Sequence, residues 1–78
     1  MSEKLSLDNI KPGEKCKIVS ITLGSAESQR LLDMGFLRGT ELDVIRNAPF
    51  ADPLEVDIRG AHVSLRHNEA KLLVVERV

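Results

Sequence analysis

The stretch LLDMGFLRGTELDVIRNAPFADP, Leu31–Pro53, decides the fold. It reads as the end of a helix, a turn between two glycines, a strand, and a loop bracketed by prolines. Gly35 stands where a left-handed residue closes a helix. Gly39 leads into Thr40–Asn47, where Thr40, Leu42 and Val44 alternate with Glu41 and Asp43, the period-2 pattern of a half-buried strand. Ile45 adds a second apolar face. Ala48–Pro53 then sends the chain back, because Leu54–Arg59 alternates again, with Leu54, Val56 and Ile58 inward and Glu55, Asp57 and Arg59 outward.

Downstream, Gly60 turns the chain into Ala61–Arg66, with Val63 and Leu65 inward, so the two strands make a hairpin. His67–Ala70 has room for one 3₁₀-type turn. Leu72–Glu76 is a last strand, apolar on both faces and expected to be covered on both. Upstream, Ala26–Met34 reads as a helix capped by Ser25, with Leu31, Leu32 and Met34 as its core stripe. Glu14–Ile21 is a strand with Cys16, Ile18 and Ser20 on one face and Lys15, Lys17, Val19 and Ile21 on the other. Lys11-Pro12-Gly13 is a tight turn. Leu5–Ile10 reads as a short helical turn capped by Ser6, and residues 1–4 as a loose tail. Five short strands with one helix inserted after the first must share one core. The expectation is a single mainly β domain over residues 1–78, its sheet curled into a small barrel that leaves no exposed edges.

Composition narrows the function. With 78 residues the core is thin. The longest apolar run is Leu72–Val75, far short of the ~20 residues of a spanning helix, so no direct membrane insertion is expected. The polar start MSEKLSLDN lacks the apolar stretch of a secretory signal, which points to the cytoplasm. Net charge is −1, and its 11 basic and 12 acidic residues are interspersed, unlike the concentrated basic face of a nucleic-acid binder. Phe36 and Phe50 are the only aromatics, a poor supply for stacking bases.

No catalytic constellation stands out. Cys16, the one cysteine, lies within a strand and reads as a small buried hydrophobe. Neither glycine of the turn is followed by the Lys-Ser/Thr of a phosphate loop, so no nucleotide cofactor is expected. His62, opposite Glu55 and Asp57 on the hairpin, raises the question of a metal, as does His67. Arg59 and Arg66 oppose a cation there, and a solvated polar face is the reading. Arg46, Arg59 and Arg66 are expected to pair with the acidic residues around them. Phe50, at the tip of the proline-bracketed loop, is either a lid on the core or an aromatic anchor for a partner. Leu37 and Arg38, in the glycine turn, are candidates for the same contact surface, with Pro49 and Asp52.

Arg30-Leu31-Leu32, then Met34-Gly35-Phe36-Leu37-Arg38-Gly39-Thr40, Ala48–Pro53, Gly60, Leu65-Arg66 and Glu69-Ala70 together resemble the FeoA family in order, spacing and length. The resemblance implies an SH3-like barrel with a helix near its start. It also implies a cytoplasmic accessory of bacterial ferrous iron uptake, whose partner is FeoB, a membrane permease with a cytoplasmic GTP-binding domain. No catalytic, cofactor or metal residue carries over from it. Related domains occur in iron-dependent repressors, so a metal-responsive regulatory module is the alternative. A weak homo-oligomer is left open. Two positions depart from the family pattern. Arg38 stands where proline is usual in Gly-x-x-Pro-Gly, and Ala51 where glycine is usual in Ala-Pro-x-Gly-Asp-Pro. The first removes a rigid turn element and adds a charge. The second makes φ > 0 costly at residue 51.

Overall fold

In a computed structural model, residues 4–78 are described, and they form one antiparallel sheet with two helices. The strands are β1 (Lys4–Ser6), β2 (Lys15–Ile21), β3 (Glu41–Arg46), β4 (Leu54–Ile58), β5 (Ala61–Leu65) and β6 (Leu73–Arg77). A 3₁₀ turn occupies Leu7–Asn9, α1 spans Ala26–Asp33 and α2 spans His67–Ala70. The sheet order is β1-β6-β2-β3-β4-β5. One buried cluster takes residues from β2 to β6, from both helices and from the 3₁₀ turn. The sheet curls around that cluster, which Leu65 of β5 and Val75 of β6 both join. The curl does not close. β1 and β5 remain as edges, contrary to the expectation of a barrel without them.

The first strand departs most from the sequence reading. Lys4, Leu5 and Ser6 pair with Glu76, Val75 and Val74. Lys4 is therefore part of the sheet, and only residues 1–3 of the expected tail lie outside the described part. The expected helical turn shrinks to Leu7–Asn9. Ser6 sits at its cap position without capping it, and its hydroxyl donates to the Asp8 carboxylate instead. Leu7 and Ile10 become fully buried on either side of that turn.

Two bulges reset the alternation. On β2, Ile18 pairs with Val75 but Ser20 pairs with Val74, so Val19 is an extra residue. Before it, Cys16 and Ile18 face the core as expected. After it, Ile21 packs on the core and Ser20 is exposed, the reverse of the simple alternation. On β3, Val44 pairs with Val56 and Arg46 with Glu55, so Ile45 is the extra residue and is left exposed. β6 is flanked on both edges, by β1 and β2. Leu73 and Val75 are buried, but Val74 is half-buried, so cover on both faces is incomplete.

The helix α1 starts and stops on local chemistry. Ser25 accepts a hydrogen bond from the Ser28 N–H at 3.1 Å, and the Ser28 hydroxyl turns back to Ser25. At the other end, Gly35 has φ +97°. Its N–H donates to the Leu32 carbonyl and the Phe36 N–H to that of Leu31, both at 3.0 Å. This is the two-bond closure that only a left-handed residue allows without strain. It drives Phe36 beside Leu31, and both are fully buried. The buried face of α1 is Leu31 with Ser28, while Leu32 and Met34 are half-buried. His67–Ala70 is an α-helical turn and not a 3₁₀ one, because Ala70 and Lys71 donate to the carbonyls four residues earlier.

Candidate functional site

The exposed large apolar side chains include Leu37 and Phe50, and each rides on a turn built for display. At the first, the Thr40 N–H donates to the Leu37 carbonyl at 3.0 Å, closing Leu37-Arg38-Gly39-Thr40. Gly39, at the third position, has φ +87°, as a type II turn requires. Its N–H donates to the Ile18 carbonyl at 2.8 Å, which ties the turn to β2. At the second, the Ala51 N–H donates to the Ala48 carbonyl at 3.2 Å, closing Ala48-Pro49-Phe50-Ala51. Pro49 presets φ at the second position and Phe50 occupies the third. Phe50 is 103% exposed, so it is not a lid on the core.

The two tips lie at opposite ends of β3. The Leu37 turn precedes β3 and the Phe50 turn follows it. Six extended residues separate them by roughly 17 Å. The hairpin turn Arg59-Gly60 lies at the Leu37 end, where Arg59 reaches the Thr40 hydroxyl at 3.5 Å. The 3₁₀ turn and α2 lie at the Phe50 end. Leu37 and Arg38 therefore form one candidate contact, and Pro49 and Phe50 another.

Asp52 is exposed beside Phe50 and is tied to His67. Its carboxylate accepts from the His67 backbone N–H at 2.9 Å and lies 2.6 Å from His67 Nδ1. Those bonds, the ring's first, hold the Asp52 carboxyl below the usual carboxylate range. The Asp52–Pro53 peptide is cis. Asn47, at the other end of the loop, donates from Nδ2 to the Asp8 and Ile10 carbonyls at 2.9 and 2.7 Å. Its Oδ1 lies 2.9 Å from His67 Nε2. Asn47 and His67 thus fix the base of the loop that carries Phe50. Sequence reading did not find this pair, since the residues are 20 apart and no local pattern links them.

Elsewhere on the surface several charged groups are paired. His62 lies 2.7 Å from Glu55 and 3.7 Å from Asp57, as the hairpin register predicts. Arg46 reaches Glu55 at 3.4 Å. Among the described residues, no group of three or more His, Cys, Asp or Glu is placed to hold a metal ion. Cys16 is fully buried, and burial, with Asp43 and Glu14 nearby, pushes its thiol up to about 12. A shallow groove between α1 and α2 is lined by Arg30, Arg66 and Glu69 among others. Glu69 is buried and already committed there, to Arg30 at 3.3 Å and to the Arg66 N–H at 3.0 Å.

The FeoA domain family matches residues 5–77. The chain belongs to the FeoA family. An FeoA-like protein from Clostridium acetobutylicum, solved by NMR, is 35% identical, with a TM-score of 0.89 over 100% of this chain and 91% of that one. A fusion of Fe(2+) transport protein A with the Fe(2+) transporter FeoB, from Porphyromonas gingivalis (strain ATCC BAA-308 / W83), is 31% identical over 74 residues. The match takes 95% of this chain and 9% of that protein, so this chain spans less than a tenth of it. A manganese-dependent transcriptional repressor in complex with manganese superposes with a TM-score of 0.88, covering 100% of this chain and 38% of that one. At 20% identity that likeness is one of fold. The SH3-like fold expected from the resemblance is thus the observed one, with six strands instead of five.

Within the FeoA pattern, both departures find a physical place. Arg38 occupies the second position of the type II turn, where proline is favoured for its fixed φ. Gly39 still supplies the left-handed position, so the turn survives the change. Ala51 ends the Phe50 turn without a positive φ, so the missing glycine strains nothing there. No helix is long and apolar enough to cross a membrane among the described residues.

Proposed function

We propose that this FeoA domain is a non-enzymatic cytoplasmic accessory of ferrous iron uptake. It binds the cytoplasmic GTP-binding side of an FeoB-type transporter and modulates its assembly or GTPase cycle. The observation that carries the reading is the Porphyromonas gingivalis relative, in which a similar sequence is fused to FeoB. One chain in one organism implies two partners that work side by side in another. Phe50 is the proposed anchor. It is fully exposed on a turn stiffened by Pro49, so little freedom is lost when a partner covers it. Leu37 and Arg38 are a second contact about one strand length away. Asp52 serves the surface indirectly, by holding the loop.

Iron uptake and transporter pull-down with Phe50→Ala and Leu37→Ala, each shown to be folded, test the proposal. Loss of capture with Phe50→Ala is expected. Unchanged capture and uptake with both variants contradicts the surface. The repressor likeness favours one other reading, a metal-responsive regulatory module. Stoichiometric, tight Fe²⁺ binding by the isolated domain would select it.

A further inference from the structure

The base of the Phe50 loop carries a hydrogen-bond pattern that depends on one proton. Asn47 Nδ2 faces two backbone carbonyls, those of Asp8 and Ile10, which can only accept. The amide orientation is therefore fixed, and Oδ1 is the atom turned to His67 Nε2 at 2.9 Å. An amide oxygen only accepts, so Nε2 must donate. On the other side, Nδ1 meets the Asp52 carboxylate at 2.6 Å, and this ionised group also only accepts. Both ring nitrogens are then donors, and only the imidazolium has two N–H groups. A neutral ring satisfies one neighbour and leaves two acceptors facing each other on the opposite side.

We infer that His67 is a protonation-sensitive latch that holds the Asn47–Pro53 loop, with Phe50 at its tip, against α2 and the 3₁₀ turn. With the proton on, the ring bridges the two ends of the loop at once. With the proton off, the ring can donate to only one of the two ends. Asp52 keeps its backbone bond from His67 in either state, and Asn47 keeps its two carbonyls. Loss of the proton therefore loosens the loop without detaching it. The depressed Asp52 carboxyl agrees with a cationic neighbour. The charges around the ring are few. Asp52 faces it from the loop, and Arg66 precedes it and acts on Asp52 as well. From the 3₁₀ turn, Asp8 is engaged by Ser6. Towards α1, Glu69 is paired with Arg30.

The latch itself does not depend on what Phe50 binds; its consequence for a partner rests on the proposed anchor. The test therefore reads the free domain. NMR follows the His67 ring nitrogens and the loop amides of Ala48, Phe50 and Ala51 as pH is raised across the stability range of the folded domain. The latch predicts two protonated ring nitrogens at the acid end. It predicts loop amides that shift with the same midpoint as the ring, and loss of that coupled shift in His67→Gln. Loop amides that stay fixed while the ring titrates overturn it. So does a ring that holds one protonation state throughout, or a coupled shift that persists in His67→Gln. The wild-type titration decides the matter even if the variant does not fold. Failure of transporter binding with an intact coupled titration sinks the anchor and leaves the latch.

Discussion

The two phenylalanines of this chain have opposite jobs, and a pair of substitutions separates them. Phe36 is 0% exposed, fixed beside Leu31 by the closing bonds of α1, while Phe50 is 103% exposed. Truncating a buried phenylalanine costs about 3–5 kcal/mol, the lost burial plus the cavity left behind. A domain of 78 residues holds only about 4–12 kcal/mol in total, at roughly 0.05–0.15 kcal/mol per residue. Phe36→Ala therefore removes a large share of the stability. Its melting temperature falls by roughly 12–24 °C at the lower figure of about 3 kcal/mol. Phe36→Leu is the gentler probe, because it keeps an apolar side chain and leaves a smaller cavity than alanine does. Phe50→Ala removes a ring that touches little, and stays within about 0.5 kcal/mol of wild type. Urea unfolding measures all three, with a slope of about 1 kcal/mol/M or more. If Phe50→Ala destabilises as much as Phe36→Leu, the ring packs on the domain in solution. The anchor reading then fails at its first step.

Three further outcomes follow from the geometry. Native Cys16 should resist a thiol reagent and react only on unfolding, since it is buried and its thiol is pushed up to about 12; fast labelling at neutral pH would contradict the buried placement. Arg59 has φ +52° beside Gly60 in the two-residue hairpin loop, where asparagine sits more easily, so Arg59→Asn should raise stability by about 0.5–1 kcal/mol in urea unfolding. The Asp52 carboxyl titrates lower in the folded chain than in the unfolded one, first because of the His67 ring. Its stabilisation is therefore full above the ordinary carboxylate range and is lost as pH falls through the folded value. Asp52→Asn should flatten the acid arm of the stability–pH profile below about pH 4, and an unchanged arm would deny the bond to His67.

What the sequence made legible was chemistry that acts over a few residues. Gly35 closes α1, Ser25 opens it, and the alternation of Leu54, Val56 and Ile58 matches their burial. What it hid depends on pairing between distant segments. Lys4-Leu5-Ser6 has no strand pattern of its own and becomes a strand because β6 offers it an edge. Val19 and Ile45 look like ordinary members of apolar strands. They are bulges because their partners β6 and β4 advance one residue where β2 and β3 advance two. The candidate site shows the same division. The exposure of Phe50 follows from Pro49 in a short turn, whereas the Asn47–His67–Asp52 contacts join a loop to a helix beyond a whole hairpin. The separation of Leu37 from Phe50 was within reach of the sequence, because a six-residue strand lies between them.

Titration of this domain with the isolated cytoplasmic domain of an FeoB-type transporter, followed by amide NMR and calorimetry, tests the central claim most directly. The amides of Ala48, Phe50 and Ala51 should shift or broaden. Phe50→Ala should weaken binding roughly 30- to 100-fold, which corresponds to about 2–3 kcal/mol for an aromatic anchor. Saturating binding that leaves those amides unmoved and Phe50→Ala at wild-type affinity would contradict the anchor. Absence of binding at any concentration reached would contradict the accessory role itself.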